Sequence, residues 1–176
     1  MHQGIIIAGF GGQGIILAGK MICLAAMHEG KFVSHIPSYG AEMRGGTANC
    51  SVVVSDEEIT SPLVPKPSIC IMMNKPSLLK FEGRLQEGGL LIYNTTLIDL
   101  EPSRSDIEAV PIAANDLALE AGNIKAANMV VLGLLLKLKP EIAVLDSVIA
   151  ALDMAVSARN KALNAINVEA LKLGHS

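Results

Sequence analysis

The stretch "GIIIAGFGGQGIILAGKMICLAAMHEG", Gly4 to Gly30, decides how the rest of the chain is read. Ile5 to Ala8 form a short apolar block suited to a buried strand. Glycines follow, and beyond Gly14 apolar residues recur at helical spacing up to a stop near Gly30. Strand, tight turn and helix in that order open a layered α/β domain.

The turn itself, "GFGGQG", sets Gly9, Gly11 and Gly14 at GxGxxG spacing, with Gly12 and Gln13 between them. In that spacing the first glycine permits the bend. The second lets a phosphate approach the backbone, and the third lets helix and strand pack closely, while the helix N-terminus offers unpaired N–H groups. Three readings follow: glycines that only serve packing, a site for the phosphate of some ligand, or a full dinucleotide site. The last also needs a carboxylate about 20 residues on, at the end of the second strand, to hold a ribose hydroxyl. Phe32 to His35, the expected second strand, ends without one. Gln13, polar at the apex of the turn, favours a ligand or partner over packing alone.

Downstream, "IPSYGAEMRGGTANCSVVVS", Ile36 to Ser55, places a charged loop before a core strand. Gly40, Gly45 and Gly46 bracket Glu42 and Arg44, which lets the backbone take positive φ on either side of the charges. The two charges pair with each other, address a ligand separately, or stand solvated. An arginine so placed can grip a carboxylate or phosphate bidentately. After "ANCSVVVS" the run "DEEI" is expected to turn tightly and re-enter the sheet at its edge. "SPLVPKP" is a connector, having three prolines in six residues.

Further strands are expected at Ser68–Asn74, Gly89–Asn94 and around "IEAVPI". Helices are expected from near Pro76, over "AANDLALEAG" with Asn115 or Asp116 at its start and Gly122 past its end, and over "KAANMVVLGLLLKLK" up to Pro140. Two amphipathic helices, 145–154 and 158–173, complete the pattern. The expected fold is a single α/β layered domain over residues 1–176, with a mostly parallel sheet and a helical C-terminal third.

Composition narrows the function classes. Of 176 residues, 51% are hydrophobic, Trp is absent and only two Tyr and three Phe occur, so the core is built from aliphatic residues and Met. A net charge of -3 without a Lys/Arg cluster argues against nucleic acid. No apolar run approaches the ~20 residues that cross a bilayer, and the start lacks a basic leader, so no membrane partner and a cytoplasmic location are expected. Cys23, Cys50 and Cys70 stand far apart without CxxC spacing. They read as buried reduced thiols, and neither zinc nor an iron–sulfur cluster is expected on this chain. His2, His28, His35 and His175 stand beside no nucleophile, so no catalytic residue is assigned.

"GFGGQGIILAGKMI", "SYGAEMRGGTANCSVVVSDEEITSP", "AANMVVLGLLL" and "NVEALKLG" together resemble the gamma subunit of 2-oxoacid:ferredoxin (or acceptor) oxidoreductases, over nearly the whole chain. The resemblance implies a Rossmann-like three-layer domain. It also implies an accessory role in an enzyme that turns a 2-oxoacid and coenzyme A into an acyl-CoA and carbon dioxide, passing electrons to ferredoxin or a related acceptor. Thiamine diphosphate and magnesium are then expected between alpha and beta subunits. Iron–sulfur clusters are expected there or on a delta subunit, with no cofactor on this chain alone.

Carried onto this sequence, the family's glycine turn falls on Gly9, Gly11, Gly12, Gln13 and Gly14. Its charged loop falls on Tyr39, Gly40, Glu42, Arg44, Gly45 and Gly46, facing partner subunits or coenzyme A. An obligate subunit of this kind is expected to expose an apolar patch, with Pro37, Tyr39 and Met43 near it. Related indolepyruvate oxidoreductases use the same domain as a beta subunit. The other readings are a freestanding nucleotide-binding module and a homo-oligomeric scaffold whose glycines only pack.

Overall fold

The computed structural model describes residues 1–39, 47–155 and 163–176. Among them a six-stranded sheet forms in the order β2-β3-β1-β4-β5-β6. Its strands are β1 (His2–Phe10), β2 (Phe32–Tyr39), β3 (Thr47–Ser55), β4 (Ile69–Met72), β5 (Leu90–Asn94) and β6 (Glu108–Ile112). β1, β4, β5 and β6 run parallel. β3 is antiparallel to both β1 and β2, so the sheet has one reversed strand.

Strict alternation along the central strands builds two cores. Ile5, Ile7, Val52, Val54, Ile69, Ile71 and Ile92 point to one face, where they meet α1 (Ile15–His28), α4 (Ala127–Leu138), α5 (Leu145–Ala155) and α6 (Asn164–His175). Ile6, Ala8, Val53, Cys70, Met72 and Leu91 point to the other, where α2 (Lys75–Phe81) covers them with Leu78 and Phe81. Both faces of β1, β4 and β5 are therefore dry, which explains their nearly unbroken apolar sequences. The remaining helix, α3 (Ala114–Glu120), stands near the carboxyl end of β5. The described residues of the C-terminal third are largely helical; of the expected helix 158–173 the structure describes α6, Asn164–His175, while 158–162 lie outside the described residues.

Three local expectations change. β3 does not turn back into the sheet through "DEEI"; it is already inserted between β2 and β1, and residues 56–68 run as a connector without a strand. β2 extends to Tyr39 rather than stopping at His35, because pairing with β3 continues through Tyr39 and Ala48. α3 takes neither Asn115 nor Asp116 as its cap. The cap position is Ala113, and the buried Asn94 at the end of β5 accepts from the Ala114 N–H at 3.0 Å instead.

Candidate functional site at the carboxyl end of the sheet

From β1 the chain crosses through α1 to β2 on one side, while β4 lies on the other. The carboxyl ends of β1 and β4 therefore flank the point where strand order reverses, which is where open α/β sheets bind ligands. Each strand end there is closed by a polar or glycine residue. The Met73 N–H donates to the Ala8 carbonyl at 2.8 Å and ties the two ends together. Asn74, fully buried, accepts from the Ser77 N–H at 2.9 Å and caps α2. Asn94, also fully buried, donates to Asn115 Oδ1 at 2.9 Å while its oxygen serves α3.

The glycine turn is shaped by necessity at distinct positions. A Cβ at Gly9 would sit 2.7 Å from Ile15 Cδ1 and 2.9 Å from Met73 Cβ, so Gly9 is what lets β1, α1 and β4 converge. Gly12 and Gly14 have φ of 92° and 71°, and a Cβ at Gly14 would collide with the Asn128 amide. Close packing thus belongs to Gly9, and Gly14 gives room to α4. Gly11 and Gly12 have nothing within 4 Å of the Cβ position, so their backbone is open to a visitor.

Gln13 is not free to greet one. Its Oε1 accepts from the Phe10 N–H at 2.6 Å and its Nε2 donates to the Met73 carbonyl at 3.5 Å, so the side chain closes the turn.

α1 starts beyond Gly14 with no side-chain cap and no acidic residue in its first turn. Its first N–H groups therefore carry the positive end of the helix dipole uncompensated. Facing it, the exposed Lys125 and the buried Asn128 come from the short turn before α4 and from its first turn. Asn128 Nδ2 donates to the Gly14 carbonyl at 3.1 Å and fixes the two helices to each other. Two hollows result, of about 230 and 190 Å³; Gly12 and Lys125 line both, with Leu17 and Ile166 walling the first and Asn115 the second.

Lys125 and Asn128 escaped the sequence reading. A lone Asn inside "AANMVVLGLLL" was the available signal, as was the recurrence of Asn directly after "ICIMM" and "LLIY".

Thr47 pairs with Phe10, and Tyr39 with Ala48, so the end of β2 and the start of β3 lie beside the glycine turn. Gly40, Glu42, Met43, Arg44, Gly45 and Gly46 themselves lie outside the described residues, as does the side chain of Tyr39.

No described cysteine sits at this site. Cys23 and Cys50 belong to the core under α1 and Cys70 to the opposite core, and burial pushes all three thiols up to about 12. Among the described residues no three His, Cys, Asp or Glu side chains are grouped to hold a metal ion. No helix among them is long and apolar enough to cross a membrane.

A mostly parallel α/β sheet with an uncapped helix and a glycine turn at its switch point defines a Rossmann-like α/β protein. Comparison with known proteins makes the class specific. The family model of pyruvate ferredoxin/flavodoxin oxidoreductase matches residues 4–176, and the chain belongs to that family. It is 41% identical over 132 residues to the ketoisovalerate oxidoreductase subunit VorA of Methanothermobacter marburgensis, covering 75% of this chain and 27% of that protein. The 2-oxoglutarate synthase subunit KorC of Methanocaldococcus jannaschii is 35% identical over 84% of each chain.

Among solved structures, the gamma subunit of the keto/oxoacid ferredoxin oxidoreductase from Geobacter sulfurreducens superposes with a TM-score of 0.86 at 25% identity, covering 99% of this chain and 95% of that one. The 2-oxoglutarate:ferredoxin oxidoreductase of Magnetococcus marinus, solved with 2-oxoglutarate, coenzyme A and succinyl-CoA bound, matches with a TM-score of 0.87 at 26% identity over 98% of this chain and 30% of that one. The chain thus spans about a quarter of the ketoisovalerate relative and nearly all of the gamma subunit.

Proposed function

We propose that residues 1–176 form one gamma-type domain acting as an accessory subunit of a cytoplasmic 2-oxoacid:ferredoxin (or acceptor) oxidoreductase. In this reading the assembled enzyme decarboxylates a 2-oxoacid oxidatively with coenzyme A, giving acyl-CoA, carbon dioxide and reduced acceptor. Thiamine diphosphate, magnesium and iron–sulfur clusters belong to alpha, beta and, where present, delta subunits. The observation that carries it is the agreement of a gamma subunit with this chain over nearly the full length of both. The buried, dispersed cysteines are consistent with redox centres lying elsewhere.

Thiamine diphosphate supplies the carbanion chemistry when bound in such an enzyme. This chain's part is to bind and orient. Gly9, Gly11, Gly12, Gln13 and Gly14 shape a turn whose open backbone, uncapped helix and neighbouring Lys125 suit a phosphate of coenzyme A. Tyr39, Gly40, Glu42, Arg44, Gly45 and Gly46 face the partner subunits or the same ligand. The assembled enzyme carrying Arg44→Ala or Lys125→Ala should show a KM for coenzyme A raised about tenfold, with kcat nearly unchanged. An unchanged KM in both variants refutes the coenzyme A assignment. Purification of the chain without thiamine-bearing partners refutes the subunit reading itself. Ketoisovalerate and 2-oxoglutarate relatives both match, and in this reading the 2-oxoacid is chosen by the pocket of the partner subunits.

A further inference from the structure

The larger of the two hollows at the glycine turn is chemically unlike a bare anion site. Gly12 and Lys125 line both hollows and so mark the place where they meet. Leu17, Leu163 and Ile166 give the larger one apolar walls, and Asn123, Asn128 and Asn167 give it three amides. Its volume of about 230 Å³ falls short of the roughly 300 Å³ at which sites for whole ligands begin. It therefore suits one flat ring of a larger ligand whose remainder lies outside.

Two of the amides are locked, and in opposite senses. Asn128 is only 3% exposed, and its partner, the Gly14 carbonyl, can only accept, so the amide nitrogen must face it. Oδ1 is left as the acceptor of a buried side chain, and among the described residues it receives no hydrogen bond. The Asn123 amide is set the other way: its Oδ1 takes the Lys125 N–H at 3.0 Å, which leaves Nδ2 to donate. An acceptor and a donor on one apolar-walled hollow complement the edge of a heteroaromatic ring on which an amino group adjoins a ring nitrogen. A ligand N–H on Asn128 also removes the cost of an unmet acceptor on a buried side chain.

We propose that this hollow holds a 6-aminopurine ring. Asn128 Oδ1 accepts from the 6-amino group, Asn123 Nδ2 donates to a neighbouring ring nitrogen, and Leu17 and Ile166 lie against the ring. The phosphate of the nucleotide then falls toward Gly12 and Lys125, where the hollows meet. A 6-oxopurine sets its oxygen against Asn128 Oδ1, acceptor to acceptor, and is rejected. Two sources carry such a ring, the adenosine end of coenzyme A and a free adenine nucleotide. The inference rests on the reading that places a phosphate at the glycine turn, and adds the base that the phosphate brings with it.

The test uses the assembled enzyme and measures inhibition by ADP and by inosine diphosphate, which differ only at the 6-position and in the N1 proton that follows from it. Wild type should be inhibited at least about tenfold more strongly by ADP. Asn128→Ser, whose hydroxyl both donates and accepts, should cut that preference to under about twofold, and Ile166→Trp, which fills the hollow, should abolish inhibition by both. A thermal melt by circular dichroism reports folding of each variant, and Ile166→Trp carries the test where Asn128→Ser does not fold. Inhibition relieved by coenzyme A assigns the ring to coenzyme A, and inhibition that it does not relieve assigns the ring to a free nucleotide. Equal inhibition of wild type by the two diphosphates, inhibition by neither, or an ADP preference that persists in folded Ile166→Trp overturns the purine site. Lys125→Ala separates this from the reading beneath it. A raised KM for coenzyme A, with ADP and inosine diphosphate alike, leaves the phosphate site standing and removes the purine. An unchanged KM with unchanged ADP inhibition removes the phosphate site, and this inference with it.

Discussion

Cys23, Cys50 and Cys70 are chemically quiet because burial pushes each thiol up to about 12, far from the thiolate that reacts at neutral pH. Native protein should therefore resist a thiol-specific disulfide reagent at pH 8, whereas three thiols per chain should react once guanidinium unfolds it. Rapid native labelling of any of them contradicts their placement.

His35 behaves differently. Burial, and then the charge of Lys20, lowers its pKa below the ordinary 6.5, and its Nε2 has no hydrogen-bond partner among the described residues. The folded state therefore disfavours the protonated ring. Stability from this group is full above pH 6.5 and falls as the pH drops below it, because only the unfolded chain then takes up the proton. Since the ring is partly exposed, the loss should stay under about 1 kcal/mol. Urea midpoints at pH 7.5 and 5.5 should differ more for wild type than for His35→Gln, and equal differences would remove the effect. Cysteine burial was legible in the apolar runs around each residue, but the packing of His35 against α1 at Gly19 was not, because it depends on the register of β2 on β3, which sets His35 beside Val52 on the face that α1 covers.

α4 and α6 touch backbone to backbone. A Cβ on Gly133 would fall on the Leu171 carbonyl, and one on Gly174 on the Val130 carbonyl, so each helix uses a glycine to admit the other. Gly133→Ala should cost about 3 kcal/mol, since neither backbone can yield as a flexible side chain does. Gly83→Ala, at a position with open space, should change stability by less than about 0.5 kcal/mol. Denaturant titration of both variants decides between this and a loose contact, in which the two would match.

That α4 is buried was readable from its nearly all-apolar sequence. That Gly133 is a contact and not a weakness in the helix was not, because its partner lies about 40 residues further on. The start of α3 repeats the lesson: Asn115 and Asp116 are sound caps by local rules, yet Asn94 from β5 supplies the bond.

At the scale of the molecule, β1, β4 and β5 are enclosed by helices or connectors on both faces and by strands on both edges, whereas β2 and β6 are the sheet's edges. Amides of Ile5–Ala8, Ile69–Met72 and Leu90–Ile92 should exchange slowest, and those of β2 at least about tenfold faster in the isolated chain. Uniform protection across the six strands would mean that β2 is tied down more firmly than its single partner strand implies.

The same topology explains what the candidate site owed to sequence. The glycine turn was legible because its spacing, its preceding strand and its following helix are all local. Lys125 and Asn128 were hidden because they reach that turn from more than 100 residues away.

Local chemistry by itself determined the elements: the aliphatic runs that make strands, the prolines that mark the connector after β3 and the stop beyond α4, the glycines that turn the chain, and the helical periodicity of the last third. These depend on side-chain size, backbone freedom and periodicity within a dozen residues. Only the tertiary structure decided that β3 runs against its neighbours, that Gln13 is consumed by its own turn, and that Phe32 and Ile36 of β2 stay exposed while Val53 of β3 is buried beneath the connector. Those outcomes follow from pairing and packing between distant segments, whose free energies no single stretch of the chain contains.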